Sequence, residues 1–209
     1  MTETGFIYSC KEMHTGRETA SFFSYDERND DFTRITVSDY ITAKYGENGF
    51  YFSKQLGDFV TCNLHRINST TNIAAYDNGT IKVFDNNGII SDRFKVTYNG
   101  SPAVSPEPIG KDLWMAVPEE NTIINYSLQY KRIEFRIGNV SEKTFSHPTG
   151  LTAFNNRLYV CNASSFKIRE VGLETYNITD YHIFTEPVYK YIRTDDKEYV
   201  ILQSGFYVL

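Results

Sequence analysis

The chain has 209 residues, long enough to bury a core in one domain, and its 21 basic against 26 acidic residues give a net charge of −5, poorly suited to gripping a phosphate backbone. Apolar residues make up 41% and charged residues 22%, which excludes a disordered chain. No apolar run approaches the roughly 20 residues of a membrane span, and the polar start Met1–Gly5 predicts no signal peptide, so a soluble protein of cytoplasm or virion is expected.

Sixteen Tyr and fifteen Phe stand against one Trp and three Met, a balance that favours strands, where flat rings pack on a pleated surface. No stretch of a dozen residues carries a helical stripe. Short runs of Val, Ile, Tyr, Phe and Thr are instead broken by turn residues. In chain order the first runs are GFIYSC, ETASFFSYD, DFTRITV, YITAK and GFYFS. DFVTCNLH, NIAAYD, TIKVFD and DRFKV follow. Between them Asp77-Asn78-Gly79 and Asn86-Asn87-Gly88 accept positive φ and read as hairpin turns. The next set opens at Pro102 with PAVS, KDLWMAVP, TIINYSL and KRIEFRI. Pro148 opens PTGLTAF, NNRLYVCN, FKIREV and TDYHIF, with a turn at Asn155-Asn156. Pro187 opens PVYKYI, KEYVILQ and GFYVL, with a turn at Ser204-Gly205.

The prolines recur after 148 − 102 = 46 and 187 − 148 = 39 residues. Leu113, Leu158 and Tyr199 recur after 45 and 41, and Ile73 precedes Leu113 by 40. Four-strand units at such a period are the signature of β-propeller blades. Dividing 209 residues by a blade period of about 42 predicts five four-stranded blades in one domain over 1–209. The last unit ends after three strands, so GFIYSC is expected to supply its outer strand and close the ring.

The segment HPTGLTAFNNRLYVCNASSFKIREV, His147 to Val171, resembles a blade of the NHL and YVTN-type propellers. Pro148, Gly150-Leu151, Leu158-Tyr159-Val160, Asn162 and Ile168 occupy the places of that pattern. The resemblance implies the fold, and a family that includes protein, RNA and glycan binders and occasional enzymes.

In such a fold the loops after the second strands lie on one rim, which gathers Asp77, Glu119, Glu120 and Asn162, with Gln203 beyond. A ring of hard oxygen donors suits a divalent cation, as in the gluconolactonase-like propellers that this architecture resembles. Solvated turns require the same residue types. Trp114, with Tyr residues, is a candidate for stacking on sugar rings. Cys62 and His65 fall on opposite faces of a strand, and Cys10 with His14 has no second ligand pair for zinc. Cys10 and Cys161 read as small buried hydrophobes. The acidic stretch Asp26, Glu27, Asp30, Asp31 lacks the ligand spacing of an EF-hand and reads as a hairpin loop. Seven N-x-S/T patterns, at Asn68, Asn78, Asn99, Asn125, Asn139, Asn162 and Asn177, reflect polar turns rather than glycosylation. No cofactor motif is present, so no cofactor is expected. The expectation is therefore a non-enzymatic module that binds protein partners or self-assembles, with a metal-dependent lactonase or a glycan binder as alternatives. Nucleic acid is excluded by the dispersed basic residues. The richness in Tyr, Phe, Asn and Thr resembles bacteriophage and virus particle proteins, which points to a tail or connector subunit.

Overall fold

The computed structural model describes residues 5–14, 17–26, 28–36, 39, 40, 43, 63–141 and 144–209. The chain divides into two compact units, Met1–Cys62 and Asn63–Leu209.

In the first unit β1 (Gly5–His14), β2 (Arg17–Asp26) and β3 (Asp31–Ile35) form an antiparallel sheet in that order. β1 and β2 pair over their full length, from Gly5 opposite Asp26 to His14 opposite Arg17. The β2–β3 connection is the predicted acidic hairpin. Asp26 accepts hydrogen bonds from the Arg28 N–H and the Asn29 amide, both at 3.0 Å, and Asp30 turns the chain at φ 51°. Tyr25 donates to the Asp30 carboxylate at 2.5 Å, while Glu27 lies outside the described residues.

The second unit is a β-propeller arrangement of four antiparallel sheets, each an up-and-down meander. Blade I holds β4 (Asn63–Arg66), β5 (Thr71–Ala75), β6 (Thr80–Asp85) and β7 (Ile90–Lys95). A two-stranded ladder, β8 (Thr97–Tyr98) and β9 (Ser101–Pro102), leads to blade II. Blade II holds β10 (Val104–Ile109), β11 (Asp112–Val117), β12 (Thr122–Ser127) and β13 (Arg132–Ile137). Blade III holds β14 (Pro148–Phe154), β15 (Arg157–Asn162), β16 (Lys167–Gly172) and β17 (Ile178–Ile183). Blade IV is built from β18 (Val188–Arg193), β19 (Glu198–Leu202) and β20 (Phe206–Val208).

Two expectations change here. Four blades replace five, because the 209 − 62 = 147 residues from Asn63 onward carry all four sheets while residues 1–62 make a separate unit. The segment GFIYSC belongs to none of the four blade sheets among the described residues. It is the start of β1, and its pairing is with β2 in the first unit. Of the other early runs, YITAK and GFYFS lie largely outside the described residues.

The turns follow from sequence. Gly79 (φ 81°) and Gly88 (φ 79°) close their hairpins by donating to the Tyr76 and Asp85 carbonyls, and Asn155 and Asn156 both adopt positive φ between β14 and β15. Ser204-Gly205 joins β19 to β20, with the Gly205 N–H on the Leu202 carbonyl.

Alternation along each second strand divides the core between neighbours. Leu113, Met115 and Val117 pack toward blade I with Ile73, Ile81 and Ile124. Trp114 and Ala116 turn the other way, onto Leu151, Leu158 and Val160 of blade III. Tyr159 and Cys161 then meet Val188, Tyr191 and Val200 of blade IV. Each buried aliphatic side chain contributes about 1.5–3 kcal/mol, so the blades hold together laterally as much as within each sheet.

The first strands β10, β14 and β18 share a device absent from simple alternation. Each carries a register shift near its start, at Val104/Glu107, Pro148/Gly150 and Val188/Lys190. Side chains released there satisfy backbone groups of the next first strand. Ser105 donates to the Thr149 carbonyl at 2.5 Å, and Thr149 in turn reaches the Val188 and Tyr189 carbonyls at 3.2 Å each. Thr152 donates to the Tyr191 carbonyl. In the same sense Glu107 Oε1 accepts from the Ala153 N–H at 3.0 Å, and in the opposite sense Lys190 Nζ donates to the Leu151 carbonyl at 2.6 Å.

Candidate interaction site

Asp77 and Gln203 lie exposed in turns, and Glu119 is exposed in the 3-10 turn Pro118–Glu120. Glu120 accepts hydrogen bonds from Asn99 and Ser101, both at 3.0 Å, and so clamps the β8–β9 ladder to blade II. Asn162 is fully buried. Its Oδ1 accepts from the Ser146 N–H at 3.0 Å and its Nδ2 donates to the Val160 carbonyl at 2.9 Å. Asn121, in the left-handed region at φ 48°, accepts from the His147 N–H at 2.8 Å. Together the two asparagines fix the path from blade II to blade III. Among the described residues no group of three or more His, Cys, Asp or Glu side chains is placed to hold a metal ion.

Trp114 is also buried, only 5% exposed, so its ring has no free face for a sugar. What it supports is more informative. Phe135 of β13 meets its edge at 6.3 Å and Tyr176 lies 6.4 Å away. Phe135 and Tyr176 themselves pack at 4.6 Å between centroids, yet remain 40% and 44% exposed. They flank a cavity of about 530 Å³ that runs along Ile133 to Gly138. Tyr176 stands out from the β16–β17 turn at φ 56°, held by its N–H on the Gly172 carbonyl at 2.8 Å. Large rings fixed from beneath, with their outer faces in water, are the composition of an interface hot spot. Sequence pattern alone concealed this, since neither the bulge that re-aims Phe135 nor the left-handed Tyr176 has a local signature.

Charged groups collect at the first strands. His65 of β4 and Glu107 of β10 each lie within electrostatic reach of Lys190 of β18. Burial, then the Lys190 charge, lowers the His65 pKa from its usual 6.5 to about 4. Burial raises the Glu107 pKa, while Lys190 and the Ala153 N–H oppose the rise. Cys62 lies outside the described residues, as do the side chains of Cys10 and His14. Cys161 is fully buried, as its reading as a small hydrophobe requires, and burial pushes its thiol up to about 12 against the influence of Lys190 and the Tyr191 backbone. A thiol so protected has almost no thiolate. A water-soluble disulfide reagent at pH 8 is therefore expected to leave Cys161 unmodified in folded protein and to modify it in urea, as peptide mass mapping would show. Rapid native labelling at Cys161 would contradict this burial.

A third cluster locks blade III to blade IV. Glu198 accepts from Tyr181 at 2.7 Å and lies 3.2 Å from Arg193 and 3.3 Å from His182. Burial works against its carboxylate, but Tyr181, Tyr191, His182 and Arg193 outweigh it and hold its pKa low. Tyr159, Tyr181 and Tyr191 pack ring against ring beside it.

No protein family profile and no curated protein matches this chain. Solved structures do. The computationally designed Ika4 protein superposes with a TM-score of 0.51 at 14% identity, over 68% of this chain and 86% of that one. The WD40 β-propeller domain of Doa1 gives 0.55 at 10% identity, over 69% and 48%. Saccharomyces cerevisiae Sqt1 gives 0.50 at 13% identity, over 88% and 50%. The chain spans about half the length of the latter two. At such identities the likeness is one of fold, and it defines this protein as a β-propeller. Among the described residues no helix is long and apolar enough to cross a membrane.

Proposed function

We propose that the chain is a non-enzymatic protein-interaction module whose docking site is the aromatic ledge of Phe135 and Tyr176. The exposed, internally supported ring pair beside a 530 Å³ cavity carries this reading, and the fold is one consistent with such modules. The finer assignment is a subunit of a larger assembly such as a bacteriophage or virus particle tail or connector, supported by the aromatic-rich composition. Within the fold class, the His147–Val171 blade pattern supports the NHL/YVTN-type branch. Glycan stacking, if it occurs, uses Phe135 and Tyr176 in place of Trp114.

Light scattering on the purified protein, with and without calcium or chelator, tests this directly. The wild type is expected to self-associate or to co-purify with a partner independently of metal. Replacing both Phe135 and Tyr176 by Ala is expected to abolish that association and to lower the thermal midpoint without unfolding the protein, because the rings pack on buried Trp114 from its outer side. A monomer that holds a divalent ion and hydrolyses lactones would reverse the conclusion.

A further inference from the structure

The outer strand of a blade has one edge without a neighbour in its own sheet. At β13 that edge coincides with the cavity described above, which follows Ile133, Glu134, Phe135, Arg136, Ile137 and Gly138 in unbroken succession and is walled by Tyr176. Two other cavities among the described residues touch an outer strand over less of its length, one at Asp180 of β17 and one at Ser91, Asp92 and Phe94 of β7. A site that tracks a backbone for its whole length is shaped for another backbone.

Its side chains state what that backbone must carry. Phe135 and Ile137 both turn toward the blade II–III core, so Arg136 between them lies on the opposite face. Arg136 spends Nη1 on the Gly138 carbonyl at 2.9 Å and is otherwise exposed. Arg132 pairs along the strand with Glu134 at 2.8 Å, and Lys131 precedes it, paired with Asp92 at 2.6 Å. Within β13 the sum is two arginines against one glutamate. A register shift places an extra residue at Glu134, which disfavours pairing of two copies of β13, and the antiparallel register centred on Glu134 would set Arg132 against Arg136. An acidic strand meets no such penalty.

The geometry points to β13 as a site of strand addition for an extended, acidic peptide segment of a partner protein, apolar at alternate residues. One face of the added strand sets a branched or aromatic side chain against Phe135 and Tyr176. Its other face offers carboxylates to Arg136, and its main chain pairs with the β13 edge. This deepens the interaction reading above and rests on it.

The test is selection from a displayed library of random heptapeptides on the full-length protein, followed by synthesis of the enriched sequences with single backbone N-methyl groups. Enrichment of alternating apolar and Asp/Glu residues is expected, with at least tenfold weaker binding when every second nitrogen is methylated and little change at the nitrogens between. Arg136→Glu is expected to shift selection toward basic peptides. Enriched peptides indifferent to N-methylation would overturn strand addition while leaving the aromatic ledge as a docking site. Enrichment unchanged on the Phe135→Ala, Tyr176→Ala protein would remove the site from both readings. Selection of basic or helical peptides by the wild type would overturn the assigned chemistry.

Discussion

Replacing Gly150 by Ala is expected to destabilise the protein by about 3 kcal/mol, at the upper end for one inserted methyl group in a packed interior. A Cβ there would lie 2.4 Å from the Tyr189 carbonyl oxygen and 3.3 Å from the Lys190 Cα. Both are backbone atoms of β18, so no side-chain rotation relieves the clash. The same approach lets Thr149 reach the Val188 and Tyr189 carbonyls. Relief by separating blades III and IV would break those bonds and the Lys190 contact with Leu151. Urea denaturation followed by tyrosine fluorescence measures the loss. A change below about 0.5 kcal/mol, within the range of a neutral surface substitution, would show that the two first strands are not in such close contact.

Acidification through the range of a free histidine is expected to cost up to about 3 kcal/mol, from a shift of 6.5 to about 4 at His65. Between those values the unfolded chain takes up a proton that the folded protein refuses. Stability is therefore full above pH 6.5, falls as pH drops toward 4, and levels off below. Glu107 acts in the opposite sense, because its raised pKa makes the folded state bind a proton more readily than the unfolded chain. It offsets part of the loss near the acid end of the window. Comparing the wild type with His65→Gln isolates the histidine. The variant is expected to lose the decline between pH 6.5 and 4, and proton NMR of the wild type is expected to place the His65 midpoint near 4. A midpoint near 6.5 would mean that the ring is solvated and that the folded β4 does not bury it.

Much of this architecture is legible in the residues. The Asn-Gly and Asn-Asn turns and the near-regular spacing of second strands encode local geometry and appear as read. The blade number is not legible in the same way. Strands β1 to β3 have the composition of blade strands, and a period counts residues without knowing which sheet they join. Site residues were harder still. Asn162 and Glu120 have the side chains of a binding rim, but unpaired backbone N–H groups and neighbouring turns claim them first. Phe135, Tyr176, His65 and Lys190 matter through contacts between residues far apart in sequence, set by strand bulges and a left-handed turn that single-chain patterns do not report.

The first-strand bonds also divide the molecule by how it opens. Ser105, Glu107, Thr149, Thr152 and Lys190 join β10 to β14 and β14 to β18 across some forty residues of chain, so none of blades II, III and IV can leave the centre without unsettling a neighbour. An outer strand such as β13 is hydrogen-bonded along its length to β12 alone. Fluctuations are accordingly graded, with the periphery free to fray and re-form while the centre stays shut. A partner that captures β13 would work on that loose margin, borrowing rigidity from a scaffold it never has to disturb.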